Sequence, residues 1–378
     1  MNPKAVLACA ETRSEWIRTS LRDLVRQESP SEDPAAVNAA VTMVEAHARR
    51  LGGRIRRHRQ KQFGDVLELR FGPTRSTQKP VLLLGHLDTV WPAGTLKTMH
   101  WREADGRFYG PGVLDMKAGV IMALAAIDIL RELKLSRPII LLLNSDEEVG
   151  SDVSRPITEK LARECSAVFV LEPAQGLAYK TARKGVGQYN VQVTGVAAHS
   201  GVDFERGHSA ILELAKLVQT ISGFTDLSIG RTVNCGVISG GTRSNVIAQT
   251  AAVEVDVRIA KASDAARVEK LFRSLKPSDP HCKLQITGGL NRPPMERKPG
   301  TVALFKQARK LAAELGFDLP EASTGGGSDG NFTAALGIPT LDGMGAVGEG
   351  AHAAHEHIVT EHLVPRTALL AAMLASAE

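Results

Sequence analysis

Three short runs without a polar residue, Val81–Leu84, Ile139–Leu143 and Val168–Leu171, constrain this chain more than any other feature. Runs of four or five apolar residues suit strands buried on both faces, the setting of a parallel sheet. Between the first two lies "DMKAGVIMALAAIDILREL", residues 115–133. It is rich in Ala and Leu, with apolar residues at helical spacing, and reads as a helix. Strand, helix and strand repeated in this way imply an α/β layer around a mainly parallel sheet.

Each run leads into groups that bind cations. His86 lies two residues past Leu84, with Asp88 two further on. "NSDEEVGS" follows Leu143 and brings Glu147 and Glu148. Glu172 follows Leu171, and Asp115 opens the expected helix. Open parallel sheets gather ligand-binding groups at the carboxyl ends of their strands, so these side chains are expected in one crevice. Imidazole with several carboxylates suits zinc, and also cobalt or manganese. A lone His after a strand is more often structural, and an adjacent Glu pair is more often solvated. The coincidence of several such groups is what points to a metal. Clustered carboxylates raise one another's pKa and destabilise the fold unless a cation neutralises them.

At 378 residues the chain exceeds one small core, and two domains are expected. The pattern changes near residue 183. "QYNVQVTG" (188–195) alternates as a half-exposed strand does. A helix at 207–221, strands near 232–238 and 249–259, a helix at 263–275 and a strand at 283–287 follow. This β-α-β-β-α-β order implies a two-layer α+β unit with an antiparallel sheet. "NRPPMERKPG" (291–300) reads as a linker, and helical pattern returns at 301–316 and 363–377. The expected organisation is therefore residues 1–182 and 294–378 as one discontinuous domain, with 183–293 inserted.

The composition excludes some functions. The net charge of +5 is mild and dispersed, and 43% of residues are hydrophobic against 23% charged. "RIRRHRQK" (54–61) reads as a solvated basic turn or edge, so neither a nucleic-acid nor a membrane patch is expected. No window approaches the roughly 18 apolar residues of a membrane span. The apolar stretch near the N-terminus is too short for a secretion signal. Cys9, Cys165, Cys235 and Cys282 are far apart and form no CxxC pair, which implies reduced thiols and a cytoplasmic protein.

The segments "GHLDTV", "GPGVLDMKAG", "NSDEEVGS", "VLEPA", "GVAAHSG", "RSNVIA", "VDVRI", "TGGGSDGNF" and "GAHAAHEH" occur in an order that resembles the M20 metallopeptidases. "TVWPAGTL" looks most like the glutamate-carboxypeptidase (carboxypeptidase G2-like) branch. The resemblance implies a di-zinc-peptidase-like catalytic domain and an inserted domain that pairs with its copy in a homodimer. It implies two Zn2+, with Co2+ or Mn2+ as substitutes. Asp115 would bridge the metals, His86 and Glu172 would complete one coordination sphere, and Glu148 and His352 the other. Glu147 would be general base and acid toward a metal-activated water, and Asp88 would hold His86.

In "GAHAAHEHIV" three imidazoles compete for the ligand role. The family pattern, His followed four residues later by Glu, fits His352 with Glu356 and leaves His355 and His357 as neighbours. By the same likeness His199 would stabilise the oxyanion of the tetrahedral intermediate. Asn245 and Arg258 would contact a substrate's terminal carboxylate, with Arg292 a weaker candidate. Read alone, His199 is a loop residue and Arg258 a strand-face charge. The Gly-rich 324–332 loop lacks the context of a phosphate cradle and reads as a close-packed rim.

The expected activity is hydrolysis of the amide bond to a C-terminal, glutamate-like residue in N-acyl amino acids or small peptides. The alternatives are an N-acyl-amino-acid deacylase or dipeptidase of other side-chain preference, and a metal-free binding protein. The presence of Glu147 and all five expected ligands speaks against the last.

Overall fold

The computed structural model describes residues 2–377. Close contacts divide the chain into two units. One comprises 1–182, 297–324 and 328–378; the other comprises 183–296 with 325–327.

The first unit is built on a six-stranded sheet. Its order is Arg54–His58, Val66–Phe71, Ile139–Asn144, Val81–His86, Ala167–Val170 and Thr340–Leu341. The three apolar runs are adjacent strands and mutually parallel, with Leu82 opposite both Ile140 and Val168. Val66–Phe71 and Arg54–His58 extend one edge antiparallel. Alternate side chains explain the unbroken apolar sequence. Leu83, Leu141 and Phe169 pack into a core with the helices Pro3–Glu11, Ser14–Arg26, Pro34–Arg50, Ala118–Glu132, Pro299–Glu314 and Leu363–Ser376. Leu82, Leu84, Ile140, Leu142 and Val168 face the opposite way, onto Leu161 and Ala162 of Arg155–Glu164 and onto Leu336 and Ile338. A small second sheet sets His357–Val359 antiparallel to Arg107–Tyr109. That pairing brings the turn before residue 357 beside the one after residue 109.

The helix expected from residue 115 begins at Ala118. Before it, Val113–Lys117 forms a wider turn in which Asp115 is extended, at φ −115° and ψ 94°, and the Asp115–Met116 peptide is cis. The reason is a competing acceptor: the N–H groups of Leu114 and Asp115 donate to the Glu356 carboxylate rather than to helical carbonyls. Helix Ala118–Glu132 is buried almost all round, which accounts for its Ala content.

In the second unit the strand order is Thr232–Gly240, Thr250–Ile259, Gly185–Thr194 and Lys283–Arg292, all antiparallel. Val191, Val193, Val253, Val255 and Val257 point to one face. There they meet Leu214, Leu217 and Ile221 of helix Ala210–Ser222 and Val268 and Phe272 of helix Ala265–Arg273. The other face carries polar residues such as Gln192, Glu254 and Arg258, the alternation expected of a sheet covered on one side. The expected linker at 291–300 is shorter in the structure. Strand Lys283–Arg292 runs into it from one side, and Pro299 opens a helix on the other. Proline is well tolerated at a first helical position, where no N–H is needed.

Candidate metal centre

Strand order explains why the candidate ligands meet. His86 ends the strand between the two others and lies opposite Asn144, while Leu84 lies opposite Val170. Glu147 and Glu148 then follow Asn144 by three and four residues, and Glu172 follows Val170 by two. All three strands release their chains at the same edge.

His86 is 1% exposed. Its Nε2 lies 3.3 Å from Asp115 Oδ1 and 3.6 Å from Glu172 Oε1. His352 Nε2 lies 3.5 Å from Asp115 Oδ2 and 3.2 Å from Glu148 Oε2. The two oxygens of Asp115 thus face one imidazole each, with Glu172 on one side and Glu148 on the other. Among the described residues, donor atoms of His86, Asp115 and Glu148 lie within 4.8 Å of one another, as do those of His86, Glu147 and Glu172.

The electrostatics are those of a cation site. Burial disfavours the imidazolium of His86, yet Asp115, Asp88 and Glu172 outweigh it and raise its pKa well above the ordinary value. Asp115 and Glu148 raise His352 to about 10. Burial raises Asp115, but His352 and His86 outweigh it and hold the carboxyl below its usual range. Burial and the neighbouring Asp115 push Glu148 up to about 7. Glu148 Oε1 is buried and has no hydrogen-bond partner. A buried carboxylate oxygen left without a donor is costly, and a cation there would satisfy it. The donor set, two imidazoles and a cluster of carboxylates, fits divalent zinc, cobalt or manganese.

Asp88, fully buried, does more than expected. His86 Nδ1 bonds to its backbone carbonyl at 2.9 Å, with the carboxylate at 3.5 Å. That carboxylate accepts the Glu147 N–H at 3.2 Å, the Glu148 N–H at 3.1 Å and the Ser31 hydroxyl at 2.7 Å. It therefore orients the turn that carries both glutamates. Ser31 carries no motif, and nothing in the sequence marks it. Glu356 was visible as the fourth residue after His352, but not as the acceptor of N–H groups from the Asp115 turn. Of the competing imidazoles, His357 Nδ1 bonds to the His355 carbonyl at 2.9 Å, and its ring packs 5.2 Å from Tyr109.

The remaining candidates lie in the second unit. His199 and Asn245 are neighbours there: the Ser200 N–H donates to the Asn245 carbonyl, and His199 bridges to Val246. The Gly201 N–H donates to His199 Nδ1 at 3.1 Å, which assigns the imidazole proton to Nε2. Arg258 is bonded through Nε and Nη2 to Asp256, at 2.9 and 2.8 Å, and its Nη1 reaches the Gly325 carbonyl at 3.4 Å. Arg292 is 7% exposed, and its Nη1 donates to Asn291 Oδ1 at 3.2 Å.

Known proteins agree with this architecture. Residues 82–376 match peptidase family M20/M25/M40. Carboxypeptidase G2 of Pseudomonas sp. (strain RS-16) is 29% identical over 97% of this chain and 90% of its own length. Acetylornithine deacetylase of Myxococcus xanthus is 28% identical over 80% of this chain and 82% of its own. Among solved structures, the aminopeptidase PepT from Bacillus cereus ATCC 10987 superposes with a TM-score of 0.78 at 22% identity, over 96% of this chain and 98% of that one. The M20 family metallo-carboxypeptidase Sso-CP2 from Sulfolobus solfataricus gives 0.77 at 16% identity, over 95% and 98%. With the matched region covering most of its length and a cluster of residues at the strand ends that could hold a metal ion, this chain belongs to peptidase family M20/M25/M40 and is a metal-dependent hydrolase of the carboxypeptidase and amidohydrolase type.

Proposed function

We propose that the chain is a two-zinc carboxypeptidase that releases an acidic, glutamate-like residue from N-acyl amino acids or small peptides. The observation that carries the two-metal reading is Asp115, whose oxygens face His86 and His352 separately, with Glu172 and Glu148 beyond. On this reading His86, Asp115 and Glu172 would hold one ion, and Asp115, Glu148 and His352 the other. Bound there, dications supply Lewis acidity to the scissile carbonyl and to the attacking water.

The chain's own residues do the rest. Glu147, held by its backbone to Asp88, takes a proton from the water and passes it to the departing amine nitrogen as the C–N bond breaks. Asp88 keeps the Glu147–Glu148 turn and the His86 ring in place. His199, protonated at Nε2, donates to the oxyanion. Asn245 and Arg258 engage the substrate's terminal carboxylate, with Arg292 beside them. The Asp256 partner holds the Arg258 guanidinium in one orientation, which suits bidentate recognition. Preference for glutamate rests on the likeness of "TVWPAGTL" to the glutamate-carboxypeptidase branch. A deacylase of other side-chain preference is the second reading, favoured by the similarity to acetylornithine deacetylase.

Self-association of the second unit belongs to the same proposal. It is supported by Val237 and Ile238 on the edge strand Thr232–Gly240 and by Ile211 and Leu212 on helix Ala210–Ser222, all of them exposed. A cytoplasmic setting is supported by four unpaired cysteines. The deciding experiment measures bound metal per chain and turnover on a panel of N-acyl amino acids with free and amidated carboxyl ends. Two ions per chain and preference for free, acidic ends are expected. No metal uptake, or equal hydrolysis of amidated substrates, would overturn the reading.

A further inference from the structure

Burying a carboxylate is costly unless its oxygens are met by donors. Glu356 is fully buried, and burial raises its pKa above the usual carboxylate range. Its oxygens are met by N–H groups. Oε1 accepts from the backbone of Leu114 at 2.8 Å and of Asp115 at 3.1 Å. Oε2 accepts from the backbone of Gly112 at 2.9 Å and from the Trp91 indole at 2.8 Å. A carboxylate offers about four lone-pair sites, and these donors use them all.

The donors come from two separate pieces of chain. Gly112, Leu114 and Asp115 form the turn that presents Asp115, with Gly112 left-handed at φ 70° and Asp115 extended, and their N–H groups donate to Glu356 rather than to helical carbonyls. Trp91 belongs to the loop after His86, whose far end is fixed when the N–H groups of Gly94 and Leu96 bond to Glu28. Glu356 itself lies four residues after His352, and its N–H donates to the Ala353 carbonyl. One side chain therefore ties together the shared ligand, the segment of a second ligand and the loop following a third.

We propose that Glu356 is a positioning residue of the metal centre: by clamping the Gly112–Asp115 backbone to the His352 segment, it sets the orientation in which Asp115 turns one oxygen toward each imidazole. The proposal rests on the metal-centre reading above. Glu356 accepts a hydrogen bond from the backbone of Asp115 and not from its side chain, so it acts through that backbone. The negative charge and both oxygens matter. A glutamine has one acceptor oxygen, and its amide N–H2 would face two N–H donors, so half the clamp is lost at almost unchanged volume.

The test loads wild type, Glu356→Gln and Trp91→Phe with cobalt alone. It reads cobalt affinity by competition with a chelator, the visible absorption of the cobalt protein and the melting temperature of the metal-free protein. Partners that orient a metal ligand change affinity or activity by about 10–100-fold. Glu356→Gln is accordingly expected to bind cobalt at least tenfold more weakly, with shifted visible bands. Its kcat should fall by at least about tenfold, while KM stays within about threefold. Trp91→Phe keeps three of the four donors and should shift the same bands by less. A residue that serves stability alone would lower the melting temperature and leave the cobalt spectrum unchanged. If Glu356→Gln binds cobalt within about twofold of wild type with an unaltered spectrum, the proposal is overturned whatever its melting temperature. Should that variant not fold, Trp91→Phe decides, and unaltered bands again overturn it. Failure of wild type to bind cobalt overturns the metal-centre reading and this proposal together, and shows in wild type rather than in the variants.

Discussion

The roles proposed for Glu147 and Glu148 divide what the sequence presents as one adjacent pair. Glu148 faces His352 and carries a buried oxygen without a donor, whereas Glu147 lies with His86 and Glu172. Glu147→Gln is expected to keep its metal and lose turnover by about 10²–10⁴, the usual contribution of general acid–base catalysis. Glu148→Ala should lose metal and activity together. Steady-state rates beside metal content per chain separate the two outcomes, and a Glu147→Gln enzyme within tenfold of wild type would exclude the assignment. Asp88→Asn weakens the acceptor for the Glu147 and Glu148 N–H groups while sparing the backbone carbonyl that holds His86. Its kcat should fall about 10–100-fold with metal largely retained. His86, Glu147, Glu148 and Glu172 were legible because each follows an apolar run whose burial could be read from composition, whereas His352 was legible only through the resemblance to the M20 metallopeptidases. The split role of Asp88 was not, because which of its oxygens meets which donor depends on the loop conformation.

Elements were legible where both faces are buried or where one face is. The parallel strands and the helices of the second unit follow from those two patterns. The start of the helix at Ala118 was hidden because the acceptor that unwinds residues 113–117 lies some 240 positions along the chain. The same helix supplies a packing prediction. A Cβ at Gly119 would come 2.2 Å from the Leu171 carbonyl oxygen. Gly119→Ala should therefore destabilise by about 1–3 kcal/mol through overpacking, although alanine is the better helix former by nearly 1 kcal/mol. Urea unfolding checks the sign, and a stabilised variant would refute the close approach. On strand Val66–Phe71, burial raises the Glu68 carboxyl, but Arg70 and His58 outweigh it and lower its pKa. Because the folded pKa is depressed, its stabilisation is present above the unfolded value of about 4.3 and is lost as pH falls through the folded one. Glu68→Gln should thus cost about 2 kcal/mol at neutral pH, with the difference shrinking below about pH 4. Urea titrations at both pH values test it.

For the whole molecule, the exposed apolar residues on the edge strand and first helix of the second unit set a test of assembly. Ile238→Glu should shift the sedimenting species from dimer to monomer, since a two-fold contact places the same charge on both sides. Mixing Glu147→Ala with His199→Ala under subunit exchange then asks where His199 acts. If it serves the partner's site, half the dimers are mixed and about a quarter of all sites recover. With exchange verified by mass, a mixture that stays silent rules out sharing. The discontinuity of the first unit has a consequence for synthesis. Four of the five proposed ligands precede residue 183, whereas His352, Glu356 and the buried helix Leu363–Ser376 are translated only after the whole 183–296 segment. By then the nascent chain already carries residues 183–296, all of the second unit except 325–327. The first unit waits, the faces of Pro3–Glu11 and Ala118–Glu132 that helix Leu363–Ser376 covers left open, until that helix emerges.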